Sequence, residues 1–291
     1  MPWLMDSKHM FANGAILKKA GVSTDQLKTW YGVVGALKAI KSKGIVKYPW
    51  MGSWAQQEAV VCDFAQFLGA FGGQFLDSSG KPAFQTGGGL KALEFMKMLL
   101  DQGLADPAST SSVEDDVKKA FLQGHIAMNL NWQYQYAASR DPSQSTVVKD
   151  APMALHTPAG SPGGPDPACN GGQPVMIASG SKHPNEAWEY IKWITSQAVQ
   201  NQYVADSLPV WKSSFNDPNV VAQINKAAGP GFAPIAQAQF ANLILRPQVT
   251  NYNAASQALR LQIQKALLGK TSPQTALNAA AQAFTSGAPP A

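Results

Sequence analysis

The feature that most constrains this chain is the steady exchange of helical and strand-like patterning from one end to the other, with no internal repeat. Apolar residues recur at helical spacing in Trp30 to Lys43, which Gly44 stops, and in Gln56 to Phe71, where Val60, Phe64, Phe67, Leu68 and Phe71 share one face ahead of Gly72-Gly73. Leu93, Met96 and Leu100 mark a further helix ended by Gly103. Val113, Val117 and Phe121 mark another, with Ser112 as N-cap, Asp115 at the capping-box position and Gly124 as the stop. Later helices open at Pro184, span about Ala198 to Ala205, carry Leu259, Ile263, Ala266 and Leu267 on one face, and open again at Ser272-Pro273, before a frayed tail over 287–291. Strands are predicted at Ile45 to Pro49, Ile126 to Leu130 and Val175 to Ala178, after an extended Met1 to Asn13. Strands that alternate with helices pack as an α/β protein, and 291 residues at 45% hydrophobic content suffice for one large domain or two moderate ones.

Composition excludes several classes of function. Charged residues make up 14% of the chain and the net charge is +5, but Lys and Arg are scattered with no basic run beyond pairs such as Lys18-Lys19. No basic face interleaved with aromatics is localised, so no nucleic-acid partner is implied. No stretch approaches the roughly 18 apolar residues of a membrane span, and Asp6, Lys8 and His9 stand where a signal peptide would be apolar. Cys62 and Cys169 lack zinc or redox spacing, which leaves one long-range disulfide or two buried thiols. His9, His125, His156 and His183 are isolated, there is no GxSxG elbow, and Gly87-Gly88-Gly89 lacks the Lys-Ser/Thr of a phosphate loop. No metal, cofactor or catalytic residue is therefore expected. The acids Glu114, Asp115 and Asp116 open a helix, where negative charge stabilises the dipole.

What stands out is the pairing of aromatics with amides in predicted loops. Trp50 and Trp54 flank Gly52-Ser53, Asn129 and Asn131 lead to Trp132 and Tyr134, and Tyr252 lies between Asn251 and Asn253. A pyranose offers an apolar C–H face to a ring and a rim of hydroxyls to amides and carboxylates, so this pattern suits sugar recognition. Ordinary core packing remains the competing reading for each tryptophan.

Read as phrases, PWLMDSKHMFANGAILKKAG, TWYGVVGALKAIKSKG, EDDVKKAFLQGHIAMNLNWQYQYA, CNGGQPVMIASGSKHPNEAWEYIKWITS, SLPVWKSSFNDP and RPQVTNYNAASQALRLQIQKALLGKTSPQTALNAAAQAF resemble, in order, the bacterial extracellular solute-binding proteins of sugar ABC transporters, in the maltose and trehalose branch. The resemblance implies a periplasmic-binding-protein-like type II fold, two lobes joined by crossing segments, with lobe one incomplete because the family carries roughly a hundred residues ahead of the segment that begins here. It places a crossing segment at 1–12, lobe two at about 13–172 and 247–291, and the remainder of lobe one at about 175–240.

Carried over position by position, the resemblance makes Asp6 the ligand-binding acid of the crossing segment. Trp50, Trp54 and Gln56 become lobe-two contacts, and Trp132 with Asn131 the stacking platform. Gly172 and Gln173 mark the close approach of backbone to ligand, and Tyr252 is a cleft aromatic. The family usually starts the helix at Trp30 with acids; here Tyr31 to Gly35 reads YGVVG, which leaves that start without an evident cap. The function implied is reversible, extracytoplasmic capture of a neutral di- or oligosaccharide for an ABC permease, with self-association through the incomplete lobe. The alternatives are a glycoside hydrolase using Asp6 with one of Glu114 to Asp116, and a non-binding interaction module.

Overall fold

The computed structural model describes residues 1–204 and 207–286. Its organising element is a three-stranded antiparallel sheet in the order β3-β2-β4, with β2 (Lys8–Asn13) between β3 (Met128–Trp132) and β4 (Pro152–Leu155). Every residue of β2 is buried, and the strict alternation of a strand divides its side chains between two cores. Met10 and Ala12 point into the larger core with their cross-strand partners Leu130 and Met128. Phe11, one residue out of phase, joins the smaller core.

The larger core is closed by α1 (Gly14–Ala20), α2 (Trp30–Ser42), α3 (Glu58–Ala70) and α4 (Gly87–Asp101). Trp30 is its aromatic centre, with ring centroids 4.6 Å from Phe67 and 5.8 Å from Trp50. While α7 (Pro184–Ile194) buries only Ile191 and belongs to neither core, the smaller core takes side chains from α5 (Glu114–Leu122) and α6 (Tyr134–Arg140). It also receives residues that follow α8 (Gln197–Gln202): Val204, Leu208 and Phe215, then Val220 and Ile224 from α9 (Pro218–Ala227) and Phe232, Ala233 and Ala236 from α10 (Phe232–Phe240). These residues thus share a core with Phe11, Phe121 and Tyr136. The last helices, α11 (Tyr252–Leu267) and α12 (Pro273–Ser286), return to the larger core through Leu259, Ile263 and Leu277.

Two short pairings flank this body. β1 (Pro2–Leu4) meets β6 (Gln173–Pro174), and β5 (Ala168–Cys169) runs parallel to β7 (Leu243–Ile244). The strand expected at Val175 to Ala178 does not form. Pro2 faces Pro174, neither has an N–H to donate, and the pairing ends at Val175, whose N–H donates to the Met1 carbonyl while the Met1 ammonium donates to the Val175 carbonyl at 3.0 Å. Ile45 to Pro49 is likewise not a strand: Pro49 accepts from both Ala127 and Met128 through its carbonyl but has no donor to return, and pairing begins only at Trp50. The helix expected to be capped by Ser112 starts one residue later, where the Val113 N–H is held by Asp116 at 3.1 Å, while the Ser112 hydroxyl bonds back to Ala108. The first helical phrase does have a cap: Thr29 accepts from Gly32 N–H at 3.1 Å. The expected frayed tail, and Ala205 at the end of the helix around Ala198, lie outside the described residues.

Candidate ligand cleft

The end of β3 and the turn into α6 build the site. Trp132 is half-buried against the larger core and donates its indole N–H to Glu114 at 3.2 Å. Glu114 is there because α5 starts beside the strand end. Gly171 packs against the six-membered part of the indole, where any side chain would collide with Cζ3. Tyr134, two residues on, keeps 41% of its surface exposed, and the burial of the rest, with the nearby Asp115 and Glu114 charges, pushes its hydroxyl above the usual phenol range. Trp132 and Tyr134 share an open hollow with Gln57, Glu114, Asp115 and Lys118.

Tyr134 also borders a narrower cavity of about 260 Å³ that contains Asp6, Gln133 and Gln173 among apolar walls from Leu4, Leu208 and Phe232. Asp6 Oδ1 is buried there without a hydrogen-bond partner. Burial raises the Asp6 carboxyl to about 7 despite backbone donors at Gln133 and Ser7 and the nearby Lys8 charge. An unpartnered acceptor in a cavity with amides and a phenol is what a polyhydroxylated ligand would satisfy. A third opening, formed by Asn170, Gly172, Arg246, Gln248 and Tyr252, lies beyond Gly172. In it the Tyr252 hydroxyl donates to Glu58, which also pairs with Arg246 at 2.9 Å.

The residues singled out from sequence therefore fall into two groups. Asp6, Gln173 and Trp132 line adjoining openings that meet at Tyr134, and Gly172 and Tyr252 line the third. Gln56 is exposed and borders none of these openings. Trp50 and Trp54 are fully buried in the larger core, so no ring face is left to stack a ligand, and Trp54 donates its indole N–H to buried Asp63 at 3.0 Å. Asn131 is fully buried too: its amide group bonds to Gln135 at 2.8 Å and to the Glu114 carbonyl, and its oxygen holds the Trp132 N–H at 2.8 Å. Asn129 pairs with the same Gln135, so these amides brace the strand end from inside.

Gln133 and Gly171 are not among the site residues expected from sequence, and Glu114 enters there only as a possible partner of Asp6 in a hydrolase. Gln133 lies within the aromatic phrase, where sequence could have flagged it; nothing in the sequence marks Gly171 over its neighbours. Among the described residues no group of three or more His, Cys, Asp and Glu side chains could hold a metal. The three acids at the α5 start each have a partner: Glu114 holds Trp132, Asp115 pairs with Lys118 at 2.7 Å, and Asp116 caps the helix. Cys62 and Cys169 are free, buried thiols.

With this geometry in hand, the comparisons with known proteins agree in kind. The family model described as bacterial extracellular solute-binding protein matches residues 1–201. A probable ABC transporter-binding protein of Deinococcus radiodurans is 27% identical over 290 residues, covering 95% of this chain and 66% of its own length. A putative binding protein of Brucella abortus is 23% identical over 97% of this chain, again 66% of the relative. The chain thus spans just under two thirds of these relatives. Among solved structures, maltose-bound MalE3 of T. maritima superposes with a TM-score of 0.86 at 26% identity, over 98% of this chain and 71% of that one. A solute-binding protein of Agrobacterium radiobacter in complex with ribitol gives 0.82 at 24%, over 98% and 70%, a likeness of fold.

Proposed function

We propose, for a chain that belongs to the bacterial extracellular solute-binding proteins, that it captures a neutral di- or oligosaccharide outside the cytoplasm and presents it to an ABC permease without transforming it. The observation that carries this reading is the cavity at the strand end, where a carboxylate with one unpartnered oxygen, two amides and a tyrosine lie, next to the hollow lined by the half-buried ring of Trp132. Carboxylate and amides suit sugar hydroxyls, and the ring suits the C–H face. The fold likeness to maltose-bound MalE3 supports the same substrate class. Capture would close two lobes about the crossing segments, by selection of a closed state that the ligand binds better. Catalysis has no support in the geometry, since the acids beside Trp132 are each held by a structural partner. Among the described residues no helix is long and apolar enough to cross a membrane. The exposed aromatic side chains of α7 support self-association.

The test is calorimetry with maltose, trehalose, sucrose and maltotriose on the intact chain, followed by analysis of each sugar for hydrolysis. Saturable binding to at least one, with the sugar recovered unchanged, is the expected result. Hydrolysis products above those of a Trp132→Ala control would overturn it.

A further inference from the structure

Lys8 has no exposed surface, an unusual place for an ammonium group. It is ion-paired to Asp63 at 2.5 Å, and Asp63 is equally buried. Burial opposes the charge on Lys8 most strongly of all, yet the groups around it together, Asp63 first and then Cys62 and Glu114, hold the ammonium above its ordinary range. Such a pair is a poor device for stability alone: two charges must leave water, and an apolar pair of similar volume does as well or better. Its surroundings give it another use. Lys8 Nζ lies 5.2 Å from the centroid of the Trp132 ring, over its face. The register of β2 against β3 sets Lys8 directly opposite Trp132, so both side chains leave the same face of the sheet. A second bond, from Nζ to Ser53 at 3.1 Å, fixes the ammonium, and Trp54 and Ser53 fix Asp63 from the other side at 3.0 and 3.3 Å.

We propose that Lys8 is the positioning residue of the site, holding Trp132 by a cation–π contact from within the protein while Asp63, Ser53 and Trp54 hold Lys8. Because Lys8 is wholly buried, the ring surface it covers is closed to ligand. The part of the ring left exposed is turned toward the hollow of Glu114 and Tyr134, and a ligand stacks there or not at all. A desolvated cation–π contact of this kind is among the stronger ones. Lys8 touches no ligand in this arrangement; it acts through Trp132 alone. The ligand's being a sugar rests on the reading of the previous subsection, whereas the hold on Trp132 does not.

The experiment uses the intact chain labelled with 5-fluorotryptophan, the Trp132 fluorine signal being assigned by Trp132→Phe. Lys8→Met alone would leave Asp63 charged and unpaired, so the informative variant is Lys8→Met with Asp63→Asn, which keeps an amide oxygen for Trp54 and Ser53. Lys8→Gln with Asp63→Asn replaces it if the first does not fold. In the folded double variant the Trp132 signal is expected to shift and broaden. Affinity for whichever of maltose, trehalose, sucrose or maltotriose binds the unmodified protein is expected to fall roughly tenfold. In a Trp132→Ala background the same double change is expected to cost no further affinity, as a group acting only through Trp132 requires. An unmoved Trp132 signal in the folded double variant would overturn the proposal, and so would an equal, additive loss of affinity in the Trp132→Ala background. If none of the four sugars binds the unmodified protein, the sugar reading fails while the fluorine signal still decides whether Lys8 holds the ring.

Discussion

Asp6 puts a proton equilibrium into the cavity. Its carboxyl titrates at about 7 in the folded chain against 3.8 ordinarily, because burial disfavours the charge. The folded state therefore binds this proton more tightly than the unfolded state. Stability from this group is fully present below about pH 4 and is lost as pH rises through 7. Asp6→Asn removes the charge that must be buried, so the variant should gain on the unmodified protein as pH rises from 4 to 8. The gain should be on the order of 1–2 kcal/mol, discounted for partial solvent access, and should vanish near pH 4. Thermal melts of both proteins across that range check the sign. Sugar hydroxyls donated to Asp6 favour the carboxylate, so binding near pH 7 should release protons, read as a dependence of calorimetric heat on the buffer's ionisation enthalpy. Trp132→Ala should weaken binding by about 2 kcal/mol, roughly thirtyfold, with a modest change in melting temperature. Trp54→Ala should do the reverse, costing about 3–5 kcal/mol of stability by emptying a fully buried site and leaving Asp63 one donor short. Melting and titration on each variant separate the platform from its support, and unchanged affinity in folded Trp132→Ala would remove that residue from the site.

The start of α2 shows what sequence patterning reads and what it misses. The phrase YGVVG offers no acid for the helix dipole, yet the helix begins where the apolar period places it, since Thr29 caps Gly32 and the 3-10 turn over 24–28 brings the Gln26 carbonyl against the same residue. A Cβ on Gly32 would land on that carbonyl oxygen, whereas one on Gly35 meets nothing within 4 Å. Gly32→Ala should therefore destabilise the protein despite alanine's better helix propensity, and Gly35→Ala should stabilise it by about 0.5–1 kcal/mol. Denaturant titration of both variants checks the pair, and a stabilised Gly32→Ala would refute the contact. Apolar spacing and stop signals identified α2 to α5, α7, α8, α11 and α12 but not α1, α6, α9 or α10; the stops at Gly44, Gly103 and Gly124 follow from their positive φ. Patterning failed on the two short strands because a proline's missing donor decides pairing only once its partner is known, as with Pro2 opposite Pro174. The site divides in the same way. Asp6 and Trp132 were legible as a family phrase, but Lys8 and Asp63 sit 55 residues apart and declare themselves only when β2 and α3 pack. Trp50 and Trp54 carry the residue type of a stacking platform and the burial of a core, and no local pattern separates the two.

At the scale of the whole chain, one strand joins the two cores: β2 supplies Met10 to one and Phe11 to the other, and the candidate cleft opens where its neighbour β3 ends. The overall fold was legible because a run of family phrases in order constrains topology more than any single motif does. Which residues would join the core of Phe11 was less so, since Val204, Leu208 and Phe232 are ordinary apolar residues whose allegiance to it is a matter of tertiary packing. The stretch between shows the opposite character. On α7 only Ile191 is buried, while Trp188, Tyr190 and Trp193 are 42%, 59% and 54% exposed, with Tyr203 and Trp211 exposed after it. Large aromatics grouped in one stretch are uncommon on the surface of a monomer, and covering them removes apolar area from water at about 25 cal/mol per Å². Self-association through this face should therefore appear in sedimentation velocity as a weight-average coefficient that rises with protein concentration. Trp188→Glu with Trp193→Glu places charge where a partner's apolar surface would lie and should abolish the rise without lowering the melting temperature, since neither side chain belongs to a core. A single concentration-independent species for the unmodified protein would show that this face has no use for a second copy.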